Sequence, residues 1–244
     1  MDAAAPRPLG IRVLDSASVG AFAFLVVAIA IRIGSLPRGG AMAVLVLGGL
    51  GLGYLLADLV SAIVHWAGDT FFREDTPLIG RAFIHPFREH HRDPRAITRH
   101  GFLEVNGNNC LALMPLLLPV WALGAGDAAG GIPLPFAQAT ALGFSLTTFA
   151  TNQFHQWAHL PSSARPWLVH RLQATGFVLS PRHHARHHAP PHRIAYGITA
   201  GWFDPLLDRS RVFERLESRL RSLVESPSCG QGNHGDPFAG SRPA

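Results

Sequence analysis

"GAMAVLVLGGLGLGYLLADLVSAIVHW", residues 40–66, decides the fold class of this chain. Its 27 residues carry one formal charge, Asp58, and end on a histidine and a tryptophan. About 20 apolar residues suffice to cross the hydrocarbon core of a bilayer as a helix. Three further stretches repeat the pattern. "ASVGAFAFLVVAIAIRIGSL" runs from Ala17 to Leu36, with Arg32 near enough to its end to snorkel. A shorter one covers about 109–126, and "IPLPFAQATALGFSLTTFATNQFHQWAH" ends at His159. The expected architecture is an all-α integral membrane protein with about four transmembrane helices, near 17–36, 40–66, 109–126 and 132–154, and a cytoplasmic His-rich helical cap. These belong to one domain, 17–225, after a cytoplasmic N-terminal segment, 1–16. The stretch 226–244 is Gly-, Ser- and Pro-rich and reads as a disordered tail.

Composition supports this reading. The 244 residues are 48% hydrophobic and only 15% charged, with a mean hydropathy of +0.18, too apolar for an ordinary soluble domain. The net charge of +5 fits an anionic membrane surface. Its arginines lack the aromatic interleaving of a single-strand binder, so no nucleic-acid partner is expected. Two distant cysteines, Cys110 and Cys229, exclude a thiolate metal centre. All basic residues are arginine, which with abundant Ala, Gly and Pro points to a bacterial source and an inner-membrane location, or the endoplasmic reticulum in a eukaryote.

Arginine orients the bundle. Arg73, Arg81, Arg88, Arg92, Arg95 and Arg99 follow the second span; Arg165, Arg171, Arg182, Arg186 and Arg193 follow the fourth; the loop around Asp127 has none. The positive-inside rule therefore places both large segments and both termini in the cytoplasm. Arg32 and Arg38 in the first loop count mildly against it.

Sequence-distant histidines then converge on that face. His65 closes the second span, with Asp69 at i+4 and Asp58 one heptad earlier; such a carboxylate could hold the second ring nitrogen of a ligating histidine. "HQWAH" sets His155 and His159 one turn apart, with Asn152 at i−3 of His155. In "FREHHRDP" a short helix opens at Pro86, and adjacent His90 and His91 point about 100° apart. In "SPRHHARHHAPPHR", Ser180 caps a short helix stopped by Pro190; His184, His187 and His188 share one face, and His183 pairs with His187 at i+4. Singly, each has a plain reading: an interfacial group for His65, a cap or helix contact for Asp58, a surface role for His170. Together they leave eight candidate ligands: His65, His90, His91, His155, His159, His184, His187 and His188.

Eight imidazoles exceed one zinc, and the H-E-x-x-H signature is missing. Two irons in nitrogen-rich shells fit the count, the chemistry of oxygen activation beside a bilayer. A metal transporter would place its ionisable ligands near the midplane instead.

"HWAGDT", "FREHHRDPRAITRHGFLEVNGNNC", "TNQFHQWAH" and "PRHHARHHAPPH…YGITAGW" resemble the lipid desaturase family of the plasmanylethanolamine desaturases, which includes animal, myxobacterial and plant chloroplast members. The resemblance covers roughly 54–208. It implies that the eight histidines bind two irons, with His100 and His183 as further ligands or supporting groups alongside Asp58, Asp69 and Asn152. It also implies dehydrogenation of the 1-O-alkyl chain of an ether phospholipid to a vinyl ether, with O2 as co-substrate. Acyl-chain desaturation or hydroxylation of another phospholipid is the alternative. Two electrons must come from an external donor of cytochrome b5 or ferredoxin type, since no flavin or nicotinamide fingerprint is present. Arg88, Arg95 and Arg99 are candidates for the lipid phosphate, or simply topology determinants. His85, Gly101 and Asp204 depart from the animal pattern.

Overall fold

The computed structural model describes residues 8–77, 79–80, 84–123 and 133–224. The Asp127 loop, Arg81 and the 226–244 tail lie outside them. The described residues are helical, with no strand among them. Four long helices, α1 (Leu9–Gly34), α2 (Gly40–Thr70), α4 (Phe102–Ala122) and α5 (Leu134–His159), form a bundle. Short helices carry the rest: α3 (His85–Arg92) between α2 and α4, then α6 (Trp167–Ala174), α7 (Pro181–His187), α8 (Asp204–Ser210) and α9 (Val212–Val224).

Among the described residues two helices, α1 and α2, are long and apolar enough to cross a membrane. Both turn large apolar side chains outward, such as Phe24, Ile31, Val44 and Leu47, which suits a lipid environment and not water. The interior is apolar where α1, α4 and α5 meet, around Phe22, Leu25, Ile29, Leu113, Leu117 and Leu142.

Helices α2 and α5 pack along each other through a seam of small residues. A methyl group on Gly53 would overlap the Thr140 carbonyl and the Phe144 backbone nitrogen, and one on Gly143 would stand 2.5 Å from the Leu50 carbonyl. Backbone cannot yield as a side chain can, so only glycine permits this approach. Gly53→Val should therefore lower the melting temperature of the detergent-solubilised protein, by an overpacking cost of about 1–3 kcal/mol. Gly20→Ala, which meets nothing within 4 Å, should leave it unchanged.

Two helices begin earlier than the hydropathy suggests. α1 starts at Leu9, so half of the expected N-terminal segment is helical, and Asp15 is buried against Gly107. α4 starts at Phe102, not near Asn109, because its polar first turns find carbonyl partners. Asn106 donates to Phe102 (2.8 Å), Asn109 to Thr148 (2.7 Å), and Asn152 of α5 to Val105 (2.9 Å). At the other end of the bundle Arg32 does more than snorkel. Its guanidinium donates to the carbonyls of Val120 and Trp121 (3.3 and 2.8 Å), groups that a helix C-terminus leaves without internal partners.

Candidate metal centre

One stripe of α2 organises the site. Tyr54, Asp58, Ser61, His65 and Asp69 follow each other at helical spacings of four, three, four and four, and the segment 194–203 lies antiparallel along them. The Tyr54 hydroxyl donates to the Phe177 carbonyl (2.7 Å). The Asp58 carboxylate, fully buried, accepts from the backbone N–H of Ala200, Gly201 and Trp202 (2.8, 2.8 and 2.9 Å) and from Phe203 (3.4 Å). Ser61 Oγ accepts from Ile198 N–H (3.3 Å). His65 Nδ1 donates to the Tyr196 carbonyl (2.9 Å). Asp58 thus holds backbone and does not touch a histidine ring.

That rail orients two imidazoles. A carbonyl only accepts, so the proton of His65 is on Nδ1 and its Nε2 is a bare lone pair. The neutral His187 ring is set the same way, since its Nδ1 donates to the Ile194 carbonyl (3.0 Å). The backbone, not a carboxylate, therefore fixes these tautomers. Asp69 sits on the other side: its Oδ2 lies 3.0 Å from His91 Nε2, 3.2 Å from His187 Nε2 and 3.5 Å from His65 Nε2.

Helix α7 brings the second group. Ser180 Oγ accepts from His183 N–H (3.1 Å), capping the helix as the spacing predicts. His184 Nε2 lies 2.9 Å from His155 Nε2, 2.9 Å from His159 Nε2 and 3.0 Å from His188 Nε2. Two sets of ring nitrogens can each share one ion: His65, His90, His91 and His187, and His90, His155, His184 and His188, each lying within 4.8 Å of one another. His90 belongs to both. All eight candidate ligands are thus gathered in one place by α2, α3, α5 and α7.

The donor set suits metal. Lone pairs of His65 and His187 face a carboxylate oxygen, an arrangement of acceptors against acceptors that a cation relieves. The buried Nε2 of His65 has no hydrogen-bond partner, so there the protein provides a lone pair and no proton. Burial, reinforced by neighbouring imidazoles, holds His90 and His184 well below the ordinary imidazole pKa and pushes His188 down to about 2. They are neutral at physiological pH, the form that ligates. The sign of the stability effect follows. A lowered folded pKa means the unfolded chain binds the extra proton, so stability is fully present above the ordinary value of 6.5 and is lost as pH falls towards 2. Denaturant titration of chelator-treated protein above and below 6.5 should show a falling midpoint on the acid side.

The remaining sequence candidates sit beside the clusters. His183 Nε2 pairs with Asp204 Oδ2 (2.6 Å), and Asp204 also accepts from Gly197 N–H (3.0 Å). His100 Nδ1 meets Glu104 Oε2 (3.2 Å). Asn152 holds α4, as above. Arg88 donates to the carbonyls of Phe71 and Phe72 (3.4 and 3.0 Å) at the end of α2, and Arg99 pairs with Asp93 (2.7 Å). Arg95 is exposed next to it. Two contributors escape sequence reasoning, the carbonyls of Ile194 and Tyr196; the glycines of "YGITAG", which let backbone approach His183 of α7 and Asp204 closely, were the available signal.

Residues 54–228 match the lipid desaturase domain family. The chain is 40% identical over 207 residues to a plasmanylethanolamine desaturase of Myxococcus xanthus, covering 85% of this chain and 71% of that one. It is 40% identical over 186 residues to plasmanylethanolamine desaturase 1 of Mus musculus, 74% and 66% of the two chains. Chloroplastic fatty acid desaturase 4 of Arabidopsis thaliana is 39% identical over 174 residues, 68% of this chain and 48% of its own length. No solved structure matches.

Proposed function

Because the chain belongs to the lipid desaturase family, we propose that it is a multi-pass membrane enzyme that dehydrogenates the 1-O-alkyl chain of an ether phospholipid. The product is the vinyl ether of a plasmalogen. The observation that carries this reading is the pair of histidine clusters sharing His90, which suits two irons. His65, His91 and His187, beside Asp69, would hold one ion, and His155, His159, His184 and His188 the other, with His90 within reach of both. The irons, when bound, supply O2 activation. One alkyl chain gives up two hydrogens, and O2 with two electrons and two protons becomes two waters. The electrons come from an external carrier of cytochrome b5 or ferredoxin type.

The chain's own residues do the rest. The Tyr196 and Ile194 carbonyls fix ring orientation, and the apolar bundle excludes water. Arg95 and Arg99 stand where a lipid phosphate could be held. Helices α4 and α5, 21 and 26 residues long, complete four crossings. The arginine asymmetry puts the clusters in the cytoplasm, at the inner membrane of a bacterium.

Lipid mass spectrometry of a host without plasmalogens, with and without this chain, tests the assignment. Vinyl ethers should appear only with it, and metal analysis of active protein should find iron. An acyl chain newly unsaturated, with ether lipids unchanged, would instead favour the second reading, to which the name of the Arabidopsis relative points.

A further inference from the structure

Two stretches of the cap contain no charged residue, ten residues each: 172–181, between Arg171 and Arg182, and 194–203, between Arg193 and Asp204. They meet at an aromatic cluster on α2. Trp202 lies 5.2 Å from Tyr54 and 4.9 Å from Phe177, centroid to centroid. Yet Phe177 and Trp202 are 54% and 43% exposed, an apolar surface that cytoplasmic water would disfavour.

The position of this cluster along α2 is decisive. Counting about 20 residues from Ala41 at the far end, the hydrocarbon core finishes near Val60. Tyr54 is six residues short of that point, about 9 Å inside it at 1.5 Å per residue. The exposed side chains of Leu52, Leu55 and Leu56 flank it, so the patch continues the lipid-facing surface of the helix.

Non-helical backbone survives at such a depth only if its polar groups are satisfied by the protein, and a row of them is paired here. The Asp58 carboxylate takes four N–H groups of 200–203. Leu179 N–H donates to Thr199 (2.7 Å), and Trp202 Nε1 donates to the Gly176 carbonyl (2.7 Å).

We infer that the tips of these two segments, around Phe177 and Trp202, are seated in the bilayer beneath the headgroups, with both rings against lipid acyl chains. The proposal rests on the membrane topology above. The cap is then partly immersed in the leaflet that holds the substrate.

Tryptophan quenching in proteoliposomes tests it with the full chain. The emission lost on Trp202→Phe isolates Trp202; Phe177→Trp in the wild-type background adds a second reporter without removing a hydrogen bond. In vesicles of phosphatidylcholine brominated on its acyl chains, both signals should lose most of their intensity, while aqueous acrylamide should barely reach them. Signals quenched from water and not by bromine, or by neither, overturn the proposal. Trp121 on α4 separates the two levels. If it too is open to water and untouched by bromine, the membrane reading fails; if it is bromine-quenched while Trp202 is not, only the immersion of the cap fails.

Discussion

His187→Ala should abolish vinyl-ether formation and remove metal from the purified protein while the helices stay folded. His187 is fully buried, anchored on the Ile194 carbonyl at 3.0 Å, and presents its Nε2 to His91 and Asp69 at 3.2 Å each. Alanine removes the lone pair and leaves a cavity that water fills without the ring's geometry. Loss of even a supporting contact at a metal site costs about 10–100-fold in affinity or activity, and loss of a ligand costs more. Acid-labile aldehyde release, normalised to protein in isolated membranes, reports the activity; elemental analysis reports the metal. His188→Ala should behave alike. His170→Ala should be nearly silent, because that half-buried ring meets the Ser162 carbonyl and belongs to neither histidine cluster. Full activity and full iron in the His187 variant would remove it from the centre.

Asp58→Ala produces the second large effect, although Asp58 touches no imidazole. It would leave four backbone N–H groups at 200–203 without an acceptor. Hydrogen bonds to a charged group contribute about 1.5–3 kcal/mol each, so the segment cannot remain on α2. The carbonyls that anchor His65 and His187 belong to the same stretch, and activity should fall to background with them. Circular dichroism should keep the signal of the long helices, while limited proteolysis should newly cut between Arg193 and Arg209. Asp58→Asn keeps one carbonyl acceptor and should fall between wild type and alanine. Unaltered proteolysis with lost activity would mean that Asp58 acts at the centre itself.

The histidine spacings could be read from sequence because a helix makes i, i+3 and i+4 neighbours whatever surrounds it. His155 with His159 and His184 with His188 are of that kind, and the structure brings them within hydrogen-bond distance. The long helices were legible from hydropathy, but not their starts, since the polar turns of α4 depend on carbonyls of another helix. The work of Asp58 was hidden for the same reason: its partners are more than 140 residues away, and no local pattern encodes them. Asp69 was placed beside His65 by spacing, yet which ring nitrogen it faces depends on the Tyr196 carbonyl taking the other one.

The α2 rail also bears on heredity. One inserted residue turns everything beyond it by about 100° around a helix axis. Between Tyr54 and Asp69 such an insertion would swing one end of the stripe away from the segment it holds while the other end stayed in place. No compensating point mutation restores five contacts at once. Insertions and deletions should therefore be purged from this stretch of the gene. A library of single-codon insertions, selected for plasmalogen synthesis, should come back empty over codons 54–69.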